Sequence, residues 1–414
     1  MITSIRFKNY KTFYKEVFIS FVANAQIKRF LCNAVQFENV NVLKTAFIYG
    51  PNNTGKTCLV LALRNLRALM LNEPHEDLTN SFIGDNIISF TVEYIQNGSF
   101  YRYSVEYNNK ENKYLYEELC ALKVQESNHS VVSKRTIFSR KNNKIVLEGV
   151  EKDFSEKLAV MISDRYPILN TFSSFENSAL NKARQDYVSF ANSIKLLRLD
   201  GDIDISQTMQ LMKIDPRGAK FVKEFVKNCD LHIDDFGYDE DIKCDVDLTK
   251  FITNPLNKAA LSFYSEHKKY RVPSFVFDSV GTRKIIALSG YIYNALKNKE
   301  ILLVDELDSS LHHILTKAIV AMFNNELNQG SQLIFTAHDL LLLDLKHLFR
   351  KDQVFLTDIQ NDESVVIPLM NFPSNTEDGI RGNEDIIEHY TKGKFGCVPT
   401  ADLFESLLGV FENE

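Results

Sequence analysis

The sequence predicts an α/β protein with a parallel or mixed sheet core, an antiparallel β-lobe and an inserted helical lobe. Three observations predict it. A glycine-rich loop, GPNNTGKT at Gly50–Thr57, joins an apolar run to a helix-patterned one. Beyond residue 300, short apolar runs alternate with helical spacing, which implies a parallel sheet covered on both faces. Between about Ile87 and Leu147 the period changes to two, the mark of an antiparallel meander.

Residues 1–22 alternate in short runs around the polar KNYKTF turn and read as two antiparallel strands, with Ile5 and Phe7 on one face. Thr45 to Tyr49 reads as a strand. The helix after the loop, Lys56 to Leu71, carries Leu59, Leu63, Leu66 and Met70 on one stripe, and Pro74 stops it. In the meander Phe90, Val92 and Tyr94 alternate, Asn97-Gly98 marks a tight hairpin, and Tyr101, Tyr103, Val105 and Tyr107 resume the pattern. A separate small sheet is expected there. Residues 151–270 read mostly as helices (Phe154 to Ile162, Asn177 to Leu197, Ser206 to Met212, Arg217 to Cys229), interrupted by an acidic strand-like patch from Asp234 to Asp247. The core resumes with a helix from Thr282 to Asn298, in which Ile285, Leu288, Ile292 and Leu296 share a stripe. A strand Ile301 to Val304, a helix Leu311 to Leu327, a strand Gln332 to Phe335 and a helix Leu340 to Phe349 follow, then strands Val354 to Thr357 and Ser364 to Pro368. The expected division is 1–74 for the first half of the core, 75–150 for the β-lobe, 151–270 for the helical insertion and 271–414 for the second half.

A chain of 414 residues is too long for one compact core, and 44% hydrophobic with 25% charged residues is ordinary for a folded protein. The formal net charge of −6 means that any nucleic-acid surface would have to be a local patch. The six cysteines include no CxxC pair, which argues against a zinc site or a disulfide framework and for reduced thiols in a cytosolic protein. The amino terminus has no basic stretch and apolar core, and no segment offers 18 uncharged apolar residues, so neither export nor a membrane span is expected.

Four segments carry chemistry. In the Gly50–Thr57 loop the glycines let backbone N–H groups curl toward a phosphate at a helix N-terminus. The pattern assigns nucleotide contacts to Gly50, Pro51, Asn52, Asn53, Thr54, Gly55, Lys56 and Thr57; Lys56 would reach the β- and γ-phosphates and the Thr57 hydroxyl would take a Mg²⁺ position. In ILLVDELDSSLHH, Ile301 to His313, an apolar strand ends in two carboxylates where parallel sheets bind ligand. Asp305 would hold Mg²⁺, and Glu306 would polarise the attacking water. In QLIFTAHD, Gln332 to Asp339, His338 lies just past the next strand and is placed to contact the γ-phosphate, with a purely structural histidine as the alternative. SVGTRK, Ser279 to Lys284, is a small-residue turn opening a helix. Many helices begin that way, yet Ser279 and Gly281 would suit the γ-phosphate of a nucleotide held by a second subunit.

The order of these segments resembles the ABC-type head ATPases, the group containing the SMC, RecF and Rad-fifty repair ATPases. By that resemblance Gly50–Thr57 matches the Walker A loop, Ser279 and Gly281 the signature, Asp305 and Glu306 Walker B, Asp308 and Ser309 the D-loop and His338 the switch histidine. SVGT stands where that group carries the fuller LSGGQ form, and no Q-loop glutamine is assigned. The opening IRFKNYKTF also looks like the first strand of such heads, with its turn near the nucleotide.

VDELDSSLH, SVGTRK and the tail IIEHYTKGKFGCVP, Ile386 to Pro399, are together similar to bacterial AAA ATPases of phage defence and abortive infection, of the RloA, AbiL and AriA type. The resemblance implies ATP and Mg²⁺ as cofactors, a homo-oligomer (a dimer of heads or higher), a separately encoded effector such as a Toprim or RloB-type nuclease, and a phage-derived trigger. The chain after His338 shows no Glu followed by a DxD pair, so no nuclease is expected on it. The alternative is a RecF-type repair ATPase that clamps DNA itself, for which Lys134, Arg135, Arg140, Lys141 and Lys144 would supply a basic cluster. A scaffold without turnover is disfavoured by the presence of Lys56, Thr57, Asp305 and Glu306. The acidic patch and the YTKGKFG segment are candidate partner surfaces.

Overall fold

The computed structural model describes residues 1–38, 40–78, 86–125, 131–141, 144–149, 155–157, 161–171, 178–199, 203–229, 231–240, 261–268, 270–372, 386–395 and 397. The chain opens with an antiparallel pair, β1 (Ile2–Lys8) and β2 (Val17–Ser20), in which Ile5 and Phe7 face inward. A second pair, β3 (Ala34–Phe37) and β4 (Val40–Leu43), leads into β5 (Thr45–Tyr49), buried along its whole length, and then into α1 (Lys56–Leu71). Pro74 is not what ends α1. Asn72 takes the left-handed conformation at φ 58° and closes the last turn. The last three carbonyls of the helix also accept from elsewhere: Tyr114 donates to Leu69 O at 2.7 Å, Tyr187 to Met70 O at 3.1 Å and Asn170 to Leu71 O at 2.6 Å.

The meander comprises β6 (Ile87–Gln96), β7 (Ser99–Asn108), β8 (Lys113–Val124), β9 (Val131–Lys141) and β10 (Lys144–Leu147). Asn97 and Gly98 both have positive φ, as a tight two-residue hairpin requires. It is not a sheet of its own. β6 pairs with β1, giving a seven-stranded antiparallel sheet in the order β10-β9-β8-β7-β6-β1-β2. The period-two pattern of the meander is the same as that of the amino-terminal hairpin, and no local signal says that the two join.

After α2 (Ile168–Thr171) and α3 (Ser178–Ser193) comes β11 (Ile194–Arg198), an edge strand of the core inside the stretch expected to be an insertion. The expected helix to Leu197 therefore ends at Ser193. Phe190, Ile194 and Leu197 keep helical spacing and nothing breaks the chain between them; pairing with the core sheet overrides that local preference. Two helices, α4 (Ser206–Ile214) and α5 (Pro216–Lys227), precede a three-stranded antiparallel sheet of β12 (Asp235–Tyr238), β13 (Phe263–His267) and β14 (Tyr270–Pro273). Much of the expected Phe154–Ile162 helix, the acidic patch beyond Glu240, and Gly396, Val398 and Pro399 of the tail lie outside the described residues.

The core then runs through α6 (Ser274–Phe277), α7 (Val280–Asn298), β15 (Ile301–Asp305), α8 (His313–Asn324), β16 (Gln332–Ala337), β17 (Val354–Gln360) and β18 (Glu363–Pro368), with α9 (Ile386–Thr391) in the tail. Its six strands are ordered β11-β15-β16-β5-β17-β18, parallel except for the last. Ala46, Ile48, Ile301, Leu303 and Ile334 pack toward α1 and α3, and Phe47, Leu302, Val304, Leu333 and Phe335 pack toward α7 and α8. Burial on both faces explains why these strands read as unbroken apolar runs. The buried Gln332 joins the two large sheets: its Oε1 accepts from Ile2 N at 2.7 Å, while its amide donates to Ile2 O and Leu43 O. The expected helix from Leu340 to Phe349 is only a 3-10 turn at Leu340–Leu342, because the Asp344 carboxylate accepts from Lys346 N and His347 N and diverts the backbone.

Candidate nucleotide-binding site

β16 pairs in parallel with both β5 and β15, with Ala337 opposite Tyr49 and Phe335 opposite Val304. The loops leaving the carboxyl ends of these three strands therefore share one edge of the sheet, and they begin with Gly50, Glu306 and His338.

The Gly50–Thr57 loop is shaped by two close approaches. A Cβ on Gly55, which has φ 94°, would stand 2.8 Å from the Phe13 ring and 2.9 Å from Thr12 Oγ1. The KNYKTF turn thus packs directly on the loop. A Cβ on Gly50 would meet Thr357 Oγ1 at 2.3 Å and the Thr357 carbonyl oxygen at 2.4 Å. Thr54 is buried, and its hydroxyl bonds Pro51 O at 2.8 Å and the Thr357 hydroxyl at 2.6 Å. Asn53 has φ 62° and, like Asn52, is exposed; Thr57 is half-buried on the first turn of α1. No side chain caps that turn, so its leading N–H groups are not spent on a capping oxygen. The buried Lys56 ammonium donates to Gly50 O at 2.9 Å and Pro51 O at 2.7 Å. Burial pushes its pKa below the usual lysine value, while the charges of Asp305, Glu306 and Asp308 pull it back up.

Asp305 ends β15 with 5% exposure. Its Oδ1 accepts from the Thr336 hydroxyl at 2.6 Å, and the same hydroxyl oxygen accepts from Glu306 N at 2.7 Å. One threonine thus holds the side chain of the first carboxylate and the backbone of the second. That backbone is left-handed, φ 55°, so it needs holding. Glu306 Oε1 stands 3.5 Å from His338 Nε2, a contact that is ionic only when the imidazole is protonated.

Asp308 and Ser309 have partners in their own chain. Asp308 Oδ2 accepts from His338 N at 2.8 Å and Asp339 N at 2.6 Å, whereas Oδ1 is buried without a partner among the described residues. The buried Lys284 donates to Ser309 Oγ at 2.8 Å and Ser309 O at 3.2 Å. Gly281 lies so close to Ser310 that a Cβ would come 2.7 Å from its carbonyl oxygen. Ser279 caps α7, accepting from Thr282 N at 3.1 Å. Among the described residues no hydrogen bond or ion pair joins the 279–282 turn to Gly50–Thr57.

This donor set fits a nucleotide with a divalent cation. Uncapped N–H groups and a lysine suit phosphate oxygens, and a threonine hydroxyl with one buried carboxylate suits Mg²⁺, which keeps most of its coordination for water and phosphate. Thr336, Thr357 and Lys284 were not singled out from the sequence. Only tertiary pairing brings the first two to the site, and Lys284 reads as an ordinary helical cation until its burial is seen. Of the basic cluster, Lys134 pairs with Glu118 at 2.6 Å and Arg135 with Glu148 at 3.2 Å, while Arg140 is buried against Glu117 at 3.4 Å. A phosphate-contacting surface built on these three is weakened accordingly.

Residues 46–344 match the family model described as AAA domain, putative AbiEii toxin, Type IV TA system. The chain belongs to that family. No curated protein matches this AAA-domain chain. Among solved structures it is similar to the SMC head domain from Thermotoga maritima, at 11% identity and a TM-score of 0.41, with 89% of this chain and 98% of that one covered. It is also similar to an Smc head bound to the C-terminal winged-helix domain of ScpA, at 13% identity and a TM-score of 0.42, covering 88% of this chain and 97% of that one. A third likeness is the Smc head with an extended coiled coil bound to the C-terminal domain of ScpA, derived from Pyrococcus furiosus, at 12% identity and a TM-score of 0.40, covering 88% and 95%. Among the described residues of this AAA-domain protein no helix is long and apolar enough to cross a membrane.

Proposed function

We propose that the chain is a Mg²⁺-dependent ATPase whose copies pair across bound ATP and whose assembly controls a separately encoded effector, a nuclease, in anti-phage defence. The observation that carries the ATPase reading is the gathering of Lys56, Asp305 and Glu306 at one sheet edge, with the two carboxylate charges acting on Lys56. Lys56 and the first-turn N–H groups of α1 bind the phosphates. Mg²⁺, when bound at Thr57 and Asp305, neutralises charge on the transferring phosphoryl group. Glu306 accepts a proton from water, and His338, whose Nε2 lies 3.5 Å from that carboxylate, would contact the γ-phosphate.

Pairing is supported by the helix start at 279–284, which is fastened to Ser309 through Lys284 and packed against Ser310 through Gly281, while among the described residues no hydrogen bond or ion pair joins the 279–282 turn to its own phosphate loop. The side chains around them suit contact with protein: Phe277 and Val280, on either side of Ser279, are 51% and 47% exposed. The defence role rests on the family description, with its AbiEii and toxin–antitoxin terms, and on the tail resemblance. ATP turnover and oligomer size, measured for the unmodified chain, Lys56→Ala and Glu306→Gln, test the reading. Lys56→Ala is expected to lose binding and turnover, and Glu306→Gln to bind and assemble without turnover; a Lys56→Ala variant hydrolysing at the unmodified rate sinks it.

A further inference from the structure

Asp278, immediately before the 279–282 turn, is tied to a different part of the chain. Its side chain is 7% exposed. One carboxylate oxygen accepts from the Ser274 hydroxyl at 2.5 Å, and the other stands 3.1 Å from His267 Nε2. The second ring nitrogen, Nδ1, lies 3.3 Å from the His232 carbonyl oxygen. His267 closes β13 and Ser274 opens α6, which makes Asp278 the junction between the three-stranded sheet and the start of α7. Asp278 and Ser279 are both extended, at ψ 163° and 161°. Two extended residues link a one-turn helix to a long one, and Asp278 is held there by its side-chain bonds together with its own N–H, which donates to Ser274 O at 2.9 Å.

We propose that Asp278 is a positioning residue: held by Ser274 and His267, it sets the attitude of the 279–282 turn that one copy offers to the nucleotide of the other. This rests on the pairing reading above, and it assigns the small sheet β12-β13-β14 a task, that of bracing the partner-facing turn. Its predicted signature is a defect that appears in the partner's site and not in the chain's own.

The test is subunit mixing. Asp278→Asn, which keeps the shape and loses the charge, is expected to melt within about a degree of the unmodified chain and to bind an ATP analogue unchanged. Its kcat should fall about tenfold with KM little altered, a coupling loss of ordinary size. Adding excess Glu306→Gln, which cannot turn over but has an intact 279–282 turn, should restore most of the turnover per Asp278→Asn chain. Ser279→Ala is run in parallel. If Ser279→Ala is restored by mixing and Asp278→Asn is either unimpaired or not restored, pairing stands and the positioning role is overturned. If neither is restored, the pairing reading fails and takes this inference with it. Should Asp278→Asn melt early, His267→Gln replaces it in the same mixture and is judged by the same outcomes.

Discussion

Thr336→Val tests the clamp on the two carboxylates. Thr336 is fully buried, and its hydroxyl is at once donor to Asp305 Oδ1 at 2.6 Å and acceptor from Glu306 N at 2.7 Å. Valine keeps the volume and removes both bonds. A bond to an ionised group contributes about 1.5–3 kcal/mol, and an orphaned buried N–H costs about 1–3 kcal/mol, so a loss of about 3–5 kcal/mol is expected. At roughly 2 °C per kcal/mol for a chain of this class, the melting temperature should fall by about 6–10 °C. The functional loss comes by a separate route. Asp305 no longer has a fixed Oδ1, and Glu306 no longer has a fixed left-handed backbone, so the Mg²⁺ dependence of turnover should weaken by about 10–100-fold, as for other groups that orient a metal ligand. Thr336→Ser restores the hydroxyl and should recover most of both. Thermal melts and turnover against Mg²⁺ concentration read the outcome. An unaltered Thr336→Val, or a Thr336→Ser as impaired as Thr336→Val, would refute the clamp.

Gly50→Ala should abolish ATP-analogue binding: the Thr357 hydroxyl, 2.3 Å from the new Cβ, can rotate away, but the Thr357 backbone oxygen at 2.4 Å cannot. Calorimetric titration showing unmodified affinity would count against that packing. Burial raises the Glu117 pKa to about 7, even with Arg140 beside it. A carboxyl raised in the fold lends stability that is complete below its unfolded value near 4.5 and is lost as pH climbs through about 7, a swing on the order of 3 kcal/mol. The melting-temperature gap between the unmodified chain and Glu117→Gln should therefore narrow from pH 5 to pH 7, and a gap constant across that window would exclude the titration.

The core was legible where one local signal sufficed. The alternation of apolar runs and helical stripes after residue 300 marked the strands and the helix between the first two of them, though not the 3-10 turn at Leu340–Leu342, and the Gly50–Thr57 pattern marked its own loop. What was illegible depends on pairing over long separations. β11 looks helical because Ile194 and Leu197 keep the spacing of the helix before them; only β15 makes them a strand. The meander looks independent because nothing local in Ile87–Gln96 says that β1 will be its neighbour. The same division runs through the site. The motifs were visible, but the orienting roles of Thr336 and Lys284 inside them, and of Thr357 outside them, were not, since a buried hydroxyl or ammonium carries no pattern of its own.

The bonds around the site also bear on how its parts can move. The His338 and Asp339 amides are held by Asp308; Ser309, next in the chain, is held by Lys284; Lys284 lies on the first turns of α7, whose cap is Ser279; and Ser279 follows Asp278, braced by His267. The links are covalent or are hydrogen bonds, and the latter tolerate a few tenths of an ångström before they weaken. A larger displacement of the loop at His338 must therefore either drag the 279–282 turn with it or break a bond to a buried group, and breaking costs about 1–3 kcal/mol. On the pairing reading proposed above, a shift of the loop at His338 is therefore either passed on to the 279–282 turn or opposed by the bonds between them.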